Sequence, residues 1–464
     1  MDSAFENYHE LNFSFEIDYL CRAPIPSSRE GFGLIMKKVL IITYYWPPSG
    51  GAGVQRWLKF AKYLPEFGWE PIILTVDPRY ASYPQRDESL TTEIDPNCRV
   101  FTTRSFELYN VYKFISGKKE VPYGGFANES KEGLFQKVSK FLRGNFLIPD
   151  PRRGWNTYAL KKALELIRKF NIETVITTSP PHSTQLIGLK LKQLININWI
   201  ADLRDPWTDI YYYNQFKHTP LARNIDLKYE RKMVENADLM ITVSEDFKRL
   251  FVEKTRQHVA GKIMVIPNGF DEEDFAVRPV SLESKKVLTY IGTISEAYDI
   301  TGLIGTLYGL SEQLKTELIV RFVGKVPPSV EQKFISTGLK IEFTGFVDHS
   351  KSVEFLMLSD LLLLIIPNVK NNGGIIPGKF FEYLAAQKPI LAIGPTESDL
   401  DQIIKDTNCG QMFDYPDSEG MSRFIQANLN HPVSESNNEK AGQYSRKQLT
   451  RKIAQLLNNL KVKA

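Results

Sequence analysis

The segment from Val39 to Leu64 reads VLIITYYWPPSGGAGVQRWLKFAKYL and combines three features. The apolar run Val39–Thr43 is typical of a strand buried on both faces, as in a parallel sheet covered by helices. A glycine-rich turn follows the run, and apolar residues then recur at helical spacing. A buried strand, a glycine turn and an amphipathic helix form the opening unit of a doubly wound α/β domain.

The same alternation continues along the chain, where short apolar runs are separated by segments with helical periodicity. Further strands are predicted at 72–76, 174–178, 199–203, 239–243 and 263–266 in the first half, and at 287–291, 318–323, 341–343, 361–366 and 390–393 in the second. We therefore predict an α/β protein of two tandem Rossmann-like domains. Such domains bind ligands in a cleft that faces the carboxyl ends of their strands.

These patterns divide the chain into five segments. They are an N-terminal tail (1–35), a first domain (36–270), an acidic linker without periodicity (271–284), a second domain (285–440) and a basic amphipathic C-terminal helix (441–464). The tail is polar and lacks the features of a signal peptide. We expect the native chain to begin at Met36 or to carry residues 1–35 as a poorly ordered tail.

Composition excludes several classes of protein. The net charge of +4 is small and spread along the chain, which argues against a nucleic-acid partner. Three distant cysteines, Cys21, Cys98 and Cys409, form neither a zinc framework nor a disulfide scaffold. A reducing, cytoplasmic location is therefore expected. No apolar run approaches the roughly 20 residues that span a bilayer.

The region 104–155 breaks the pattern, because it has few clear strands but many aromatic residues and lysines. One helical face carries Phe135, Val138, Phe141 and Leu142, and basic residues lie beside it. Three interpretations stay open: an insertion that contacts substrate, a weak peripheral contact with an anionic membrane surface, or an ordinary packed helix.

The turn after the first strand contains Gly50, Gly51, Ala52 and Gly53. A glycine-rich loop that opens a helix offers free backbone N–H groups and a positive dipole end, which suits a phosphate or a sugar hydroxyl. A dinucleotide site would need a third glycine where this chain has Arg56. Asp77, at the end of the second strand, keeps that alternative open.

A second motif, Pro377–Ala385 (PGKFFEYLA), begins where a helix is predicted. Lys379 and Glu382 are three residues apart and share a helix face near its N-terminus. Together with the amides at Gly378, this pair could bind a nucleoside diphosphate, with Lys379 on the phosphates and Glu382 on the ribose. The alternative is a surface ion pair worth about 0.3 kcal/mol.

Two polar residues follow predicted strands of the first half. His182 follows the strand at 174–178 and Asp205 follows the strand at 199–203. His182 could hydrogen-bond the transferred sugar or the acceptor hydroxyl, and Asp205 could accept the acceptor's proton. Alternatively, His182 is a capping or core histidine, and Asp205 pairs with Arg204 or caps a turn.

Several stretches resemble family 4 retaining glycosyltransferases of the GT-B fold, in the family's order and over roughly residues 37–460. They are the glycine loop 50–53, ADLMITVS (237–244), VIPNGFD (265–271), YIGT (290–293) and KFFEYL (379–384), and IADLRDPW (200–207) is similar to a segment of members that build bacterial surface polysaccharides. The resemblance implies that the second domain binds a nucleotide-sugar and the first binds the acceptor. It also implies retention of anomeric configuration, with no metal and no cofactor.

Individual positions of the family's motifs can be matched to residues of this sequence. Glu382 matches the second glutamate of the family's E-x7-E motif, and Gly374 occupies the place of the first. The family's Arg and Lys pair is not evident after Gly292 and Thr293, so Arg321 or Lys325 is expected to replace one of them. The expected donor-binding set is Gly292, Thr293, Arg321, Lys325, Gly374, Gly378, Lys379 and Glu382.

The sequence therefore predicts a glycosyltransferase that moves a sugar from a nucleotide diphosphate donor to a glycan or lipid-linked acceptor. Its predicted location is the cytoplasm, with peripheral contact at the inner face of the membrane left open. Two alternatives remain. An epimerase of the same architecture would act on a nucleotide-sugar without an acceptor, and a non-catalytic homologue would be consistent with the missing glutamate at Gly374.

Overall fold

The structure is a computed structural model. It describes residues 36–107, 134–255, 257–276, 285–296, 298–430 and 438–460. The predicted tail 1–35 and most of the linker lie outside the described residues. So do several aromatic residues of the 104–155 region, namely Tyr109, Tyr112, Phe114 and Phe126.

The first domain is a parallel sheet of seven strands in the order β3-β2-β1-β4-β5-β6-β7. Its strands are β1 (Lys37–Ile42), β2 (Trp69–Val76), β3 (Arg99–Thr103), β4 (Thr174–Ser179), β5 (Asn198–Leu203), β6 (Leu239–Thr242) and β7 (Ile263–Val265). Its helices are α1 (Ala52–Tyr63), α2 (Leu134–Phe146), α3 (Asn156–Phe170), α4 (Ser183–Leu194), α5 (Pro220–Asn236) and α6 (Glu245–Lys254). The strand order reverses at β1, which pairs with both β2 and β4.

The second domain repeats the plan with six parallel strands in the order β10-β9-β8-β11-β12-β13. Its strands are β8 (Lys286–Ile291), β9 (Leu318–Val323), β10 (Lys340–Gly345), β11 (Leu361–Ile365), β12 (Ile390–Ile393) and β13 (Gly410–Phe413). Its helices are α7 (Thr301–Tyr308), α8 (Glu312–Glu317), α9 (Pro328–Ile335), α10 (His349–Met357), α11 (Gly378–Ala386), α12 (Asp399–Thr407), α13 (Ser418–Asn430) and α14 (Asn438–Gly442). The predicted pair of Rossmann-like domains is confirmed.

Every strand predicted from the sequence overlaps an observed strand, but the pattern missed β3 and β13. Both are edge strands. An edge strand is covered on fewer sides, so it does not need an uninterrupted apolar run. In β3 the residues are exposed or partly buried, whereas β4 and β5 are buried throughout.

The last helix, α15 (Arg446–Asn459), returns to the first domain. Its residues Leu449, Ile453 and Leu457 join the core cluster that contains Trp57 and Phe60 of α1. The amphipathic pattern predicted this helix, and the apolar side is buried as such a pattern requires. None of the helices in the described ranges combines the length and hydropathy needed to cross a bilayer.

An ion pair and a hydrogen bond hold the connection between the domains against α1. Asp271 lies 2.8 Å from the ammonium of Lys59 and accepts a hydrogen bond from the Tyr63 hydroxyl at 2.5 Å. Burial would raise the pKa of Asp271, but the hydrogen bonds and charges of these partners outweigh it and lower the pKa to about 2. The carboxylate is therefore ionised at neutral pH, and it fixes the start of the connection against the first domain.

Candidate functional site

A cavity of about 490 Å³ lies between the two domains. The first domain contributes the glycine loop after β1, the loops after β4 and β5, and part of α2. The second domain contributes residues from 370 to 378, which lead into α11. Because both sheets present the carboxyl ends of their strands to this cleft, it is the expected place for a ligand.

The glycine loop forms one edge of the cavity, where Gly50, Gly51 and Gly53 line the wall. Helix α1 begins at Ala52, its N-cap is Gly51, and no acidic residue stands in its first turn. The positive end of the helix dipole is therefore not neutralised by the chain itself. This arrangement suits an anion or a hydroxyl, as the sequence predicted.

Arg56 explains why the third glycine of a dinucleotide motif is absent. Its guanidinium is fully buried, where it pairs with Asp202 at 2.9 Å and donates to the carbonyl of Ile266. Asp77, the acid expected to hold a ribose in a dinucleotide site, instead pairs with Arg79 at 2.6 Å. Asp77 was the residue that kept the dinucleotide alternative open, and its ion pair with Arg79 gives that alternative no support.

His182 lines the cavity and stacks on Trp207, with ring centroids 4.8 Å apart. Desolvation, together with the charges of Lys254 and Arg204, lowers the pKa of His182 to about 3. The ring is therefore neutral at physiological pH. The Nδ1 atom is buried without a hydrogen-bond partner among the described residues. His182 occupies the N-cap position of α4, but its side chain makes no capping hydrogen bond.

Asp205 lines the same cavity on the first-domain side. Desolvation raises the pKa of its carboxyl, and the charge of Arg204 opposes the shift. Within the described ranges, no ion pair or hydrogen bond engages this carboxylate. The structure thus brings Asp205, His182 and the glycine loop to one wall, opposite the start of α11.

Helix α11 places Gly378 on the second-domain side of the cavity. Lys379 follows it, with its ammonium 2.8 Å from the Tyr290 hydroxyl and 4.1 Å from the centre of that ring. Burial lowers the pKa of Lys379 to about 7, and the negative charge of Glu382 only partly opposes this. The ammonium also stands beside Gly292, 2.9 Å from the position that a Cβ would take there.

Glu382 lies one helical turn after Lys379, and 18% of its side chain is exposed. Its carboxylate faces His349 at the start of α10, with Oε1 3.9 Å from Nδ1. The same imidazole approaches Gln55 of the first domain at 3.3 Å. Glu382 therefore points to the crevice between the domains and not to bulk solvent.

His349 was not predicted as a site residue, because no sequence motif surrounds it. It is the first residue of α10, the helix that follows the edge strand β10. Burial opposes its protonation, but the hydrogen bond to Asp274 and the charge of Glu382 raise the pKa of His349 to about 9. The protonated ring supplies a positive charge beside Glu382 at neutral pH. A ribose bound to Glu382 would lie next to this imidazolium.

The remaining donor-site candidates divide into two groups. Gly292, Thr293 and Lys325 lie in the loops after β8 and β9, on the cleft side of the sheet. Arg321 lies within β9, directly opposite Glu342 of β10, and its guanidinium pairs with that carboxylate at 2.9 Å. The structure therefore corrects the expectation that Arg321 faces the donor, because its charge is used across the sheet.

Gly374 also differs from the expectation. The residue is buried, and the ring of Phe247 lies 2.5 Å from the position of a Cβ at this site. A side chain from α6 of the first domain thus fills the space that a glutamate would need. This corrects the expectation that Gly374 contacts the donor, because it packs under Phe247 instead of lining the cavity.

We expect Gly374→Ala to destabilise the protein by about 1–3 kcal/mol, the usual cost of forcing an extra methyl group into a packed interface. The measurement is the midpoint of urea unfolding. Gly373→Ala is the matched control, because the nearest atom to a Cβ there is Asp246 Oδ2 at 3.6 Å. Equal midpoints for the two variants would show that the contact with Phe247 does not constrain this position.

Part of the first domain, including one wall of this site, is similar to a known family. Residues 126–274 match the sequence model of Glycosyltransferase Family 4. The resemblance to family 4 glycosyltransferases is confirmed. The matched residues include the loops that carry His182 and Asp205. No curated protein sequence matches the chain.

Solved structures share the two-domain architecture of this chain at low identity. A glycosyltransferase from Rickettsia africae superimposes with a TM-score of 0.57 at 16% identity, covering 91% of this chain and 99% of its own. Anabaena Alr3699/HepE in complex with UDP gives 0.58 at 14%, covering 92% and 100%. A Listeria monocytogenes protein described as a putative UDP-N-acetylglucosamine 2-epimerase gives 0.52 at 11%, covering 91% and 95%. At these identities the likeness shows the GT-B fold.

In the part of the chain that the structure describes, no three side chains of His, Cys, Asp or Glu gather closely enough to hold a metal ion. Metal independence stays a prediction, and activity that is unchanged by a chelator would support it.

Proposed function

We propose that this chain transfers a sugar from a nucleotide diphosphate donor to a hydroxyl of a glycan or lipid-linked acceptor, with retention, in the synthesis of a surface polysaccharide or glycoconjugate. One observation carries the proposal: a single cavity joins the N-terminus of α11 to Asp205 and His182 of the opposite domain. A donor held by the second domain would present its sugar to an acceptor held by the first.

The donor's diphosphate would bind at the start of α11. The first amides of that helix, at its positive dipole end, face the cavity at Gly378, and such ends bind phosphate. The ammonium of Lys379 adds a positive charge, and Glu382 would accept hydrogen bonds from the ribose hydroxyls. As the bond between the anomeric carbon and the phosphate breaks, the electron pair moves to the diphosphate, where these groups stabilise the new charge.

The acceptor would bind against the first domain. Its hydroxyl oxygen forms the new bond to the anomeric carbon on the same face that the diphosphate leaves, as retention requires, and its proton passes to the Asp205 carboxylate. The raised pKa of Asp205 makes it a better proton acceptor than an exposed aspartate. The neutral ring of His182 can hydrogen-bond the transferred sugar or the acceptor without placing a second positive charge in the cavity.

The experiment that tests the proposal is a thermal-shift panel of UDP-, GDP-, dTDP- and CMP-sugars, followed by analysis of products. A ligand at 100 times its dissociation constant should stabilise the protein by about 2.7 kcal/mol. We expect at least one nucleoside diphosphate sugar to do so, and a glycoside product to form only when an acceptor is present. A protein stabilised by none of these donors would not be a glycosyltransferase of this kind.

Two alternatives are tested by the same experiment. An epimerase would change the donor's sugar without any acceptor, and one structural neighbour described as an epimerase keeps this possibility open. A non-catalytic homologue need not bind any nucleotide. Asp205 favours transfer, because it lines the cavity without an ion pair or hydrogen bond from the described residues, and a cleft carboxylate whose pKa is raised by burial is typical of a catalytic site.

A peripheral membrane contact is a further part of the proposal. Helix α2 exposes Phe141, Leu142 and Phe146 to solvent, and 72% of Phe146 is accessible. Arg143 of the same helix lines the cavity, so an apolar surface adjoins the acceptor's entrance. We expect vesicles containing anionic lipid to sediment the protein, and Phe146→Ser to reduce the bound fraction several-fold. Equal sedimentation of both proteins would contradict this. The cytoplasmic location stays a prediction.

A further inference from the structure

The first-domain wall of the cavity is rich in guanidinium groups, since Arg143, Arg152 and Arg204 all line it. Carboxylates line it too, so formal charge alone does not predict an anion site. Whether the wall can bind an anion depends on how far the charge of each carboxylate is offset by its surroundings. Asp209 pairs with Lys254 at 2.6 Å. Burial raises the pKa of Asp226 to about 7, against the hydrogen bonds from Trp207 and Tyr213, so part of its charge is absent at neutral pH. Asp150 accepts a hydrogen bond from Ser183, and Asp205 makes no ion pair or hydrogen bond within the described residues.

Arg204 is the central cation of this wall. It donates from Nε to the carbonyl of Ser179 at 3.1 Å and from Nη2 to that of Pro180 at 3.4 Å. No carboxylate in the described residues lies within ion-pair distance of its guanidinium, and Nη1 makes no hydrogen bond. Partly buried guanidinium groups are usually paired, because removing the charge from water is costly.

Nη1 of Arg204 also lies close to the start of helix α1. A Cβ at Gly53 would overlap the Arg204 guanidinium, so the charge packs directly against the first turn of α1. That turn has no acidic residue and no side-chain cap. A cation at the positive end of a helix is electrostatically unfavourable. An anion in the cavity that contacts both groups would relieve the repulsion and accept hydrogen bonds from each of them.

The surroundings agree with this interpretation. Desolvation, followed by positive charges that include Arg143, lowers the pKa of His218, another residue of the cavity. Arg143 stacks over the ring of Phe216, 4.4 Å from its centre. Tyr211 and Tyr212 line the same side. Aromatic rings beside fixed cations can bind the apolar face of a saccharide together with its charged substituent.

We propose that the acceptor is an anionic saccharide whose phosphate or carboxylate binds in the cavity where Arg204 meets the first turn of α1. Arg143 and Arg152 line the same wall. Asp205 follows Arg204 directly in the chain, so the charged group would lie next to the hydroxyl that receives the sugar. This inference rests on the proposed function, in which the donor's diphosphate occupies the α11 end of the cavity.

The test uses the full chain saturated with the nucleoside diphosphate that gives the largest thermal shift. Glucose, glucose 1-phosphate and glucuronic acid are then titrated by calorimetry. We expect at least one charged sugar to bind ten or more times tighter than glucose, because charge-assisted hydrogen bonds are about twice as strong as neutral ones. Phosphate and carboxylate are distinguished by which charged probe binds.

The variant Arg204→Gln should weaken the charged sugar at least tenfold while changing the affinity for the nucleotide less than about threefold. Arg143→Gln, on half-exposed α2, is the second variant if Arg204→Gln does not fold. Arg79→Gln, whose partner Asp77 lies at another edge of the sheet, is the control. Equal affinity for glucose and the charged sugars, or no binding of either charged sugar, would overturn the proposal.

A loss of nucleotide affinity in Arg204→Gln would also overturn it, because the guanidinium would then serve the donor. A different outcome would contradict the proposed function. If charged sugars bind but no donor sugar is ever transferred, the anion site stands and the transferase assignment does not.

Discussion

Replacing Lys379 with methionine should lower kcat/KM for the donor by about 100- to 1000-fold. This is the usual effect of removing one preorganised group that stabilises charge on the leaving group. Methionine keeps the length and apolar stem of the side chain, so packing against Tyr290 is retained. The measurement is steady-state turnover together with the dissociation constant of the nucleotide-sugar.

The pH dependence of donor binding gives a second readout of the same residue. Burial lowers the pKa of Lys379 to about 7, so the free enzyme loses this positive charge as pH rises above 7. The bound diphosphate favours the ammonium and raises its pKa. Binding above pH 7 therefore requires uptake of a proton, and affinity should fall up to tenfold per pH unit until the pKa of the complex is reached. Below pH 7 this residue contributes no pH dependence.

Two variants separate this effect from others. In Lys379→Arg the guanidinium stays charged, so the decline above pH 7 should disappear while part of the affinity remains. Lys405→Met is the control, because Lys405 is 63% exposed and pairs with Asp401 on α12, away from the cavity lining. A donor affinity in Lys379→Met equal to that of the unmodified protein would remove Lys379 from the site.

The second large effect is expected at the acceptor wall. Asp205→Asn should lower kcat by about 100- to 10,000-fold, the range attributed to a positioned acid or base. The dissociation constant of the nucleotide-sugar should stay nearly the same, since the donor is assigned to the other domain. His182→Ala should also lower kcat strongly with donor binding near normal, because its ring lines the same cavity.

Asp77→Asn is the matched control for Asp205→Asn. Asp77 also follows a strand of the first sheet, but its carboxylate pairs with Arg79. Its loss should leave kcat within about twofold. Unchanged turnover in Asp205→Asn or in His182→Ala would remove the corresponding residue from the mechanism, whatever its place in the cavity.

Much of the fold could be predicted because its determinants are local. Buried parallel strands require continuous apolar runs, and amphipathic helices require a period near 3.6. The same locality made the start of α11 visible, since Gly378, Lys379 and Glu382 lie within one helical turn of each other. The edge strands β3 and β13 were not predicted from the sequence, because they are less completely buried.

The errors at the site have a different physical origin. Arg321 was expected at the donor. The neighbours of a strand residue depend on the register of the sheet, and here Glu342 of β10 lies directly opposite Arg321. Gly374 was expected to contact the donor, but Phe247 of the other domain fills that space. Neither neighbour is near in sequence.

The sequence by itself determined two doubly wound domains, the glycine turn and the charged start of α11, because each is encoded by residues a few positions apart. The tertiary structure alone decided which charges are free to act. Arg56 and Asp202, 146 residues apart, cancel each other in the core, whereas Arg204 and Asp205 line the cavity and make no ion pair with any described residue. Burial and pairing depend on which distant segments meet, and a local pattern of residue types does not specify that meeting.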